Sequence, residues 1–171
     1  FVSEVKGGAI PREFIPSIKK VGIGLMENGV LAGYPLVDMK VIVYDGTYHE
    51  VDSSDIAFKI AGSDALKKAV RLANPVLIEP IMKLEVTTPA DFMGDVIGDL
   101  SSRRTQILGT ETRGKVKVIT GLVPLSEIAG YATILRSLTQ GRASFYMEPS
   151  HYEEVPKNIT EKIISKKEKG S

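Results

Sequence analysis

The chain has 171 residues, 43% of them hydrophobic and 25% charged, which is ordinary for a globular protein of one large domain or two small ones. Its net charge of +1, spread as nine basic and nine acidic side chains in residues 1–75 and eight of each in 76–152, argues against a protein that coats nucleic acid regardless of sequence. It contains no cysteine, which excludes disulfides, thiolate zinc sites and cysteine nucleophiles, and no apolar run approaches the roughly 20 residues that span a bilayer.

The first part of the chain is predicted to alternate strands and helices. A short strand over 1–5 is followed by a helix over 12–28, a strand over 36–44 and a long helix over 53–73. Because the chain begins inside a strand, we expect a fragment whose upstream partner strands are missing. Asn74-Pro75 closes the long helix and marks the predicted domain boundary.

The segment between the second strand and the long helix is the most informative stretch of the sequence. Asp45-Gly46 is expected to break the strand, because glycine tolerates the positive φ that turns often need. The polar residues 52–54 offer side-chain oxygens that can cap the following helix. Between these two signals, Tyr48 and His49 are predicted to lie at an exposed tip, which suits contact with another macromolecule.

Beyond Pro75 the predicted order of elements is βαββαβ. Strands are predicted at 76–88 (interrupted by Pro80), 107–111, 116–123 and 142–147, with helices at 89–104 and 125–139. This order predicts a ferredoxin-like fold, in which two helices cover one face of an antiparallel sheet. A final helix is predicted from Pro156, and residues 166–171 are predicted to be a solvated end. The predicted fold class is therefore α+β.

The residues give little support for a catalytic, cofactor or metal site. His49 is either a contact residue at a tip or an exposed loop histidine. The carboxylates of Glu50, Asp52 and Asp55 are explained by helix capping and by the helix dipole. No Gly-rich phosphate loop with a following Lys-Ser or Lys-Thr occurs, so no nucleotide-hydrolysing apparatus is predicted. We therefore expect neither a cofactor nor a metal ion in this chain.

Two clusters of arginine and serine are predicted at helix ends. The first is Ser102-Arg103-Arg104, and the second runs from Arg136 to Arg142. Arginine in the last turn of a helix is favoured by the helix dipole, which alone would explain one cluster. Such residues also make good contacts with phosphate groups. Both interpretations stay open on the residues alone.

Nearly the whole chain resembles the C-terminal part of bacterial elongation factor G. The matching stretches are Gly7-Gly8-Ala9-Ile10-Pro11, Leu31-Ala32-Gly33-Tyr34-Pro35, Tyr44-Asp45-Gly46, Tyr48-His49-Glu50-Val51-Asp52-Ser53-Ser54, Glu79-Pro80-Ile81-Met82, Met93-Gly94-Asp95-Val96-Ile97-Gly98-Asp99-Leu100, Gly130-Tyr131-Ala132-Thr133, Thr139-Gln140-Gly141-Arg142 and His151-Tyr152-Glu153-Glu154-Val155-Pro156. The resemblance implies that residues 1–75 are domain IV, incomplete at its N-terminus and similar to the second domain of ribosomal protein S5. Residues 76–152 would be domain V, the ferredoxin-like module, and 153–171 a C-terminal helix and tail.

The resemblance also implies a role in translation elongation, as the ribosome-binding part of the factor that drives GTP-dependent translocation of tRNA and mRNA. The domain IV tip is then expected to contact the decoding centre through Gly46, Thr47, Tyr48, His49, Glu50 and Asp52. Domain V is expected to contact the large subunit near the sarcin–ricin loop. Arg136, Ser137 and Gln140 match family residues there, and Arg142, Arg103 and Arg104 join them from the two clusters.

The same resemblance sets expectations for the parent protein. GTP and Mg are expected in a missing N-terminal domain of a translational GTPase, whereas this chain is not expected to hydrolyse GTP. The parent is expected to be a cytoplasmic monomer that binds the ribosome and no membrane.

Several alternatives remain open. Departures from the family pattern at Thr105, Lys117 and Glu148-Pro149 allow a recycling-specialised paralogue or a ribosome-protection relative, although the intact tip favours a translocase. A non-ribosomal protein-interaction module that uses the sheet face is more distant. An enzyme with a carboxylate–histidine site around His49 and Glu50 would need a concave pocket, whereas a tip is convex.

Overall fold

The structure is a computed structural model that describes residues 1–168, and it divides into two compact units. The first unit comprises Phe1–Val76 together with the chain from Lys157 onward, and the second comprises Leu77–Pro156. The division lies next to the boundary predicted at Pro75. The segment 153–171, which is predicted to be one C-terminal helix and tail, is shared between the units.

The helices and strands run in chain order as β1 (Val2–Ser3), α1 (Ile15–Asn28), β2 (Ile42–Val43), α2 (Asp55–Leu72), β3 (Ile78–Pro89), α3 (Met93–Ser102), β4 (Gln106–Arg113), β5 (Val116–Pro124), α4 (Tyr131–Leu138), β6 (Ser144–Glu154) and α5 (Lys157–Glu168). Short 3-10 turns precede three of the helices, at Arg12–Phe14, Ala90–Phe92 and Leu125–Glu127. In the predicted solvated end, Lys166 and Lys167 are exposed and lie in the last turn of α5, and the remainder beyond 168 lies outside the described residues.

The first unit contains a parallel pair of very short strands. Val2 lies opposite Ile42 and Ser3 opposite Val43, so β1, α1 and β2 form a βαβ unit. The predicted strand over 36–44 is wrong except for its last part. Asp38 adopts a positive φ of 54°, which takes the backbone out of the extended conformation before β2 begins.

The two long helices of the first unit pack around a small core. Ile10, Ile18 and Phe58 are buried, and Phe14 packs against them. α1 ends at Asn28, as predicted, and Gly29 caps it with φ of 69°, where a side chain would collide with the carbonyl oxygen of Tyr34. This position can therefore be occupied only by glycine.

The second unit has a four-stranded sheet in the order β4-β5-β3-β6, with every neighbouring pair antiparallel. This order, with α3 following the first strand and α4 the third, is the ferredoxin-like arrangement, so the predicted fold class is confirmed. Apolar side chains of β3 and β5 face the two helices. The buried core consists of Met82, Leu84, Val86, Val96, Leu100, Ile119, Val123, Ile128, Tyr131 and Leu135.

Two predicted strands of this unit need correction. β3 is not interrupted by Pro80, because its pairing with β5 begins only at Ile81 and Pro80 therefore has a neighbouring strand on one side only. The last strand runs to Glu154 rather than ending at Met147. A bulge beside Ile81 and Met82 realigns β6, and its polar continuation then pairs with the start of β3.

The helix predicted over 125–139 is also two separate pieces. Gly130 adopts a positive φ of 71°, which separates the 3-10 turn at Leu125–Glu127 from α4. α4 then buries Tyr131 and Leu135 against the sheet, because these residues are four apart and share one helix face.

Candidate nucleic-acid interface

Residues 44–53, which we call the tip, connect β2 directly to the start of α2. Ser54 is the N-cap of α2, and its hydroxyl accepts a hydrogen bond from the Ala57 N–H at 3.1 Å. Tyr44, His49 and Val51 are exposed, Val51 to 94%. The tip is therefore held at both ends by secondary structure, while its central side chains face solvent.

The backbone of His49 is closed onto Ser53 inside the tip. The His49 N–H donates to the Ser53 hydroxyl oxygen at 2.9 Å, and the His49 carbonyl oxygen accepts from the Ser53 N–H at 2.9 Å. The Asp52 N–H also donates to that carbonyl, at 3.2 Å. In the described part of the chain, the imidazole itself has no hydrogen bond or ion pair, so both ring nitrogens remain available to a partner.

A row of aromatic rings links the tip to the core of the first unit. The Tyr48 ring lies 6.2 Å from the Phe14 ring, and Phe14 stacks on Phe58 at 4.6 Å between centroids. Phe58 is buried, whereas Tyr48 is 38% exposed. One edge of Tyr48 is therefore fixed and the rest of it is accessible.

Gly46 serves a different purpose from the one predicted. Its φ is not in the positive region, so conformational freedom in a turn does not explain the residue. A Cβ atom at this position would lie 2.6 Å from Cδ1 of Ile10, which is buried in the core. Glycine is needed because the backbone at the base of the tip packs directly on that side chain.

The acidic residues of the segment are explained largely by local structure. An Asp45 carboxylate oxygen accepts the Gly46 N–H at 2.8 Å. Asp55, at the first turn of α2, pairs with Lys59 and accepts a hydrogen bond from Ser17, and these contacts lower its pKa. The described residues contain no group of three or more His, Cys, Asp or Glu side chains that could hold a metal ion.

The second candidate surface consists of the residues at the end of α4, namely Arg136, Ser137, Gln140 and Arg142, which we call the α4-end surface. All four side chains are exposed. The Arg142 guanidinium lies 5.5 Å from the centre of the Phe92 ring, a cation–π contact that leaves its outer face open.

A Schellman motif shapes the turn that carries this surface. The Gly141 N–H donates to the Arg136 carbonyl oxygen at 2.8 Å, and Gln140 adopts a positive φ of 51°. The buried Thr139 hydroxyl donates to the Leu135 carbonyl at 2.6 Å and accepts from the Ala143 N–H at 3.2 Å. The turn is thereby fixed from inside the unit.

Arg103 and Arg104, predicted to act with the α4-end surface, make internal contacts instead. Arg103 binds Asp99 at 2.8 Å and the carbonyl oxygen of Glu127 at 2.7 Å. Arg104 binds both carboxylate oxygens of Glu79 and, at 2.8 Å, one of Glu127. The hydrogen bond to Asp99 is the main cause that raises the pKa of Arg103, and the hydrogen bond to Glu79 is the main cause that raises the pKa of Arg104. These internal partners favour the structural interpretation of this cluster, and its contact with RNA stays a prediction.

Three residues that shape or extend the tip were not predicted from the sequence. Ser53 closes the loop around His49, Phe14 supports Tyr48, and Val51 is the most exposed apolar side chain of the segment. Only Val51 carried a usable signal, as an apolar residue in a polar run. The roles of Ser53 and Phe14 depend on contacts that spacing along the chain does not indicate.

A carboxylate–histidine enzyme site is not supported by the surroundings of His49. A cavity of about 200 Å³ lies in the second unit and is lined by Glu79, Arg104 and Glu153 among others, with no residue of the tip.

Within residues 1–168, no helix has the length and apolar character needed to cross a bilayer.

Comparison with known proteins identifies the two units. A family model described as "Elongation factor G, domain IV" matches residues 1–74, and one described as "Elongation factor G C-terminus" matches residues 76–163. An elongation factor G from Aquifex pyrophilus is 58% identical over 170 residues, which cover 99% of this chain and 24% of that protein. A crystal structure of a Thermus thermophilus protein is similar with a TM-score of 0.78 and 43% identity, covering 99% of this chain and 26% of that one. The chain spans about a quarter of the length of these relatives. It belongs to the elongation factor G family, of which it represents domain IV and the C-terminal domain.

Proposed function

We propose that this chain is the ribosome-contacting part of a translation elongation factor that moves tRNA and mRNA through the ribosome. The observation that carries the proposal is the geometry of His49 in the tip. Its backbone N–H and carbonyl oxygen are both hydrogen-bonded, whereas its imidazole has no partner among the described residues. An exposed imidazole on a fixed backbone, next to a half-exposed tyrosine, is suited to contact a structured RNA partner, here the codon–anticodon pair in the decoding centre.

The contact made by the tip is positional rather than a neutralisation of phosphate charge. Asp45, Glu50 and Asp52 lie in the tip, which contains no Lys or Arg. An acidic surface gains nothing from the release of counterions from RNA, which supplies most of the affinity of basic proteins. Hydroxyl, imidazole and backbone groups can still read shape and hold the two RNAs in register.

The α4-end surface is the part suited to phosphate groups, and we assign it to the large subunit near the sarcin–ricin loop. Its two arginines are exposed, and no acidic partner of either occurs among the described residues. Ser137 and Gln140 add neutral hydrogen-bonding groups beside them. Arg103 and Arg104 enter this proposal only as supports of the α3 end, because their donors are already paired.

Hydrolysis of GTP is assigned to another part of the parent protein. The chain has no phosphate loop for GTP, and its described residues offer no acidic cluster for Mg, so the residues present fit neither GTP nor Mg. We infer a cytoplasmic parent that is a translational GTPase and acts as a monomer on the ribosome.

Two other roles within the family are the main alternatives. A ribosome-recycling paralogue or a ribosome-protection relative could use the same two surfaces, and the tip sequence from Tyr48 to Asp52 favours the translocase. A non-ribosomal protein-interaction module would depend on the sheet face, and its binding would be insensitive to changes at Arg136 and Gln140.

Footprinting of ribosomal RNA with the full-length parent tests the proposal. We expect bases of the sarcin–ricin loop and of the decoding centre to be protected from chemical modification when the factor is trapped on the ribosome. A variant with Arg136→Ala and Gln140→Ala should lose the first protection and keep the second. Absence of both protections with the unchanged protein would contradict the proposal.

A further inference from the structure

We infer that Ser53 is a positioning residue for His49, an inference that rests on the function proposed above. Ser53 forms two hydrogen bonds with His49, one through its hydroxyl oxygen and one through its own N–H, each 2.9 Å long. Its side chain faces back into the tip, so its role is to set the direction in which the imidazole leaves the backbone.

The two bonds fix both peptide groups that flank the Cα atom of His49. The N–H of His49 belongs to the peptide group that precedes this Cα, and its carbonyl oxygen belongs to the one that follows. When both groups are held, φ and ψ of the residue are held as well, and the direction of the Cα–Cβ bond follows from them. The imidazole has no hydrogen bond or ion pair among the described residues, so the backbone supplies this constraint.

Ser53 can act as a fixed support because the next residue begins a helix. The Ser54 carbonyl oxygen accepts from the Phe58 N–H at 3.0 Å, a backbone bond that does not depend on the Ser54 hydroxyl. Phe58 is buried in the core of the first unit. The chain of contacts therefore runs from the core through the first turn of α2 to Ser53 and on to His49.

Phe14 supports the residue on the other side of His49. Its ring lies between the buried Phe58 ring and the half-exposed Tyr48 ring. Tyr48 is thus restrained through its side chain and His49 through its backbone, from two different elements. In contrast, the Val51 side chain is 94% exposed and has no comparable support.

The neighbouring serine provides a matched control. Ser53→Ala and Ser54→Ala remove the same hydroxyl group from adjacent residues. The second change removes the helix cap and weakens the start of α2, but it breaks no bond to His49. A purely structural role of Ser53 would make the two variants behave alike, whereas a positioning role separates them. Ser53→Thr keeps a hydroxyl and serves as the conservative variant.

Nuclear magnetic resonance of this chain tests the geometry without any ribosome. The chain has two histidines, and His151 in β6 serves as an internal reference. We expect Ser53→Ala to shift the imidazole signals of His49 and to speed exchange of its amide about 10-fold, with His151 unchanged. Ser54→Ala should leave both histidines as they are. Unchanged His49 signals in a folded Ser53→Ala variant would overturn the inference.

Translocation by the full-length parent tests the consequence. Ser53→Ala should slow the movement of tRNA and mRNA on the order of 10-fold, because a small misplacement of a contacting group costs this much or more. Ser53→Thr should restore most of the rate, and Ser54→Ala should stay within about two-fold of the unchanged protein. In the His49→Ala background, Ser53→Ala should add less than about two-fold, since the group that it positions is gone.

The outcomes separate this inference from the proposed function. If His49→Ala slows translocation but Ser53→Ala does not, the positioning role is wrong and the function stands. If Ser53→Ala disturbs the His49 signals while neither variant affects translocation, the proposed role of the tip fails. If Ser53→Ala slows translocation equally with and without His49, Ser53 does not act through the imidazole and the inference is overturned.

Discussion

Arg104 holds Glu79 with two parallel hydrogen bonds, from Nη1 to Oε1 at 2.7 Å and from Nη2 to Oε2 at 3.0 Å. Glu79 lies near the start of β3, and Arg104 follows the end of α3 in a backbone conformation with φ of 57°. The side chain of Glu79 is 12% exposed and that of Arg104 is 26% exposed. The pair therefore ties the end of a helix to the sheet below it in a partly dry environment.

We expect Arg104→Ala to lower the free energy of unfolding of the second unit by about 2 kcal/mol, because it leaves the Glu79 carboxylate nearly buried without its partner. Urea denaturation measures the change. Arg113→Ala is the control, since Arg113 pairs with Glu85 and Glu111 at an exposed site where solvent screens such pairs and they contribute little. Equal effects of the two variants would show that Arg104 has no special structural role.

Gly46→Ala is expected to destabilise the first unit by about 1–3 kcal/mol, because the new methyl group would overlap the Ile10 side chain. Removal of that side chain relieves the overlap. In a double-mutant cycle measured by urea denaturation, Gly46→Ala should therefore cost much less in the Ile10→Ala background. Strictly additive costs would mean that the two residues are not in contact.

Tyr131→Phe should be neutral or stabilising at neutral pH and more strongly stabilising at alkaline pH. The Tyr131 hydroxyl is buried and has no hydrogen-bond partner among the described residues, so its removal at pH 7 should be neutral or stabilising. Burial raises the pKa of Tyr131 to about 12 from an ordinary value of 10.0. The folded state thus keeps a proton that the unfolded state loses above pH 10, and stability falls as pH rises from 10 to 12.

Above both pKa values, the ionisation of Tyr131 should lower the free energy of unfolding by about 2–3 kcal/mol, and Tyr131→Phe should abolish this loss. Urea denaturation at neutral pH and at a pH between the two pKa values measures both effects. Tyr152→Phe is the control, because Tyr152 is 65% exposed in β6. A Tyr131→Phe variant with the same alkaline loss as the unchanged protein would show that another group is responsible.

Arg136→Gln should weaken binding of the full-length parent to ribosomes and make it less sensitive to salt. Loss of one phosphate contact reduces the slope of log affinity against log salt concentration by about 1. Filter binding across a salt series measures the slope. Arg113→Gln, which removes an equal charge from the end of β4, should leave it unchanged. A steeper or equal slope for Arg136→Gln would remove this residue from the RNA contact.

The sequence predicted the second unit better than the first, for a physical reason. Alternating apolar residues such as Leu84 and Val86 lie on long strands with partners on both sides, so periodicity and pairing agree. In the first unit, residues 36–41 carry the same alternation without a ladder, because Asp38 breaks the extended backbone. The polar part of β6 gave no periodic signal, since its pairing depends on a bulge.

The candidate site could be predicted in position but not in its internal support. Polar residues between a strand and a capped helix indicated an exposed tip. The closing contact of Ser53 and the contact between Gly46 and Ile10 arise from tertiary packing, which spacing does not encode. The pairing of Arg104 with Glu79 joins residues 25 apart in sequence. The local sequence therefore indicated only a favourable interaction of Arg104 with the helix dipole.

The most direct measurement of the central claim compares two rates for the His49→Ala variant of the full-length parent. Rapid kinetics can follow GTP hydrolysis and the movement of tRNA and mRNA in the same mixture. A tip that acts by position, as proposed, predicts translocation slowed at least about 10-fold with GTP hydrolysis within about two-fold of the unchanged protein. An equal loss of both rates, or no loss of translocation, would contradict a positional role for the tip.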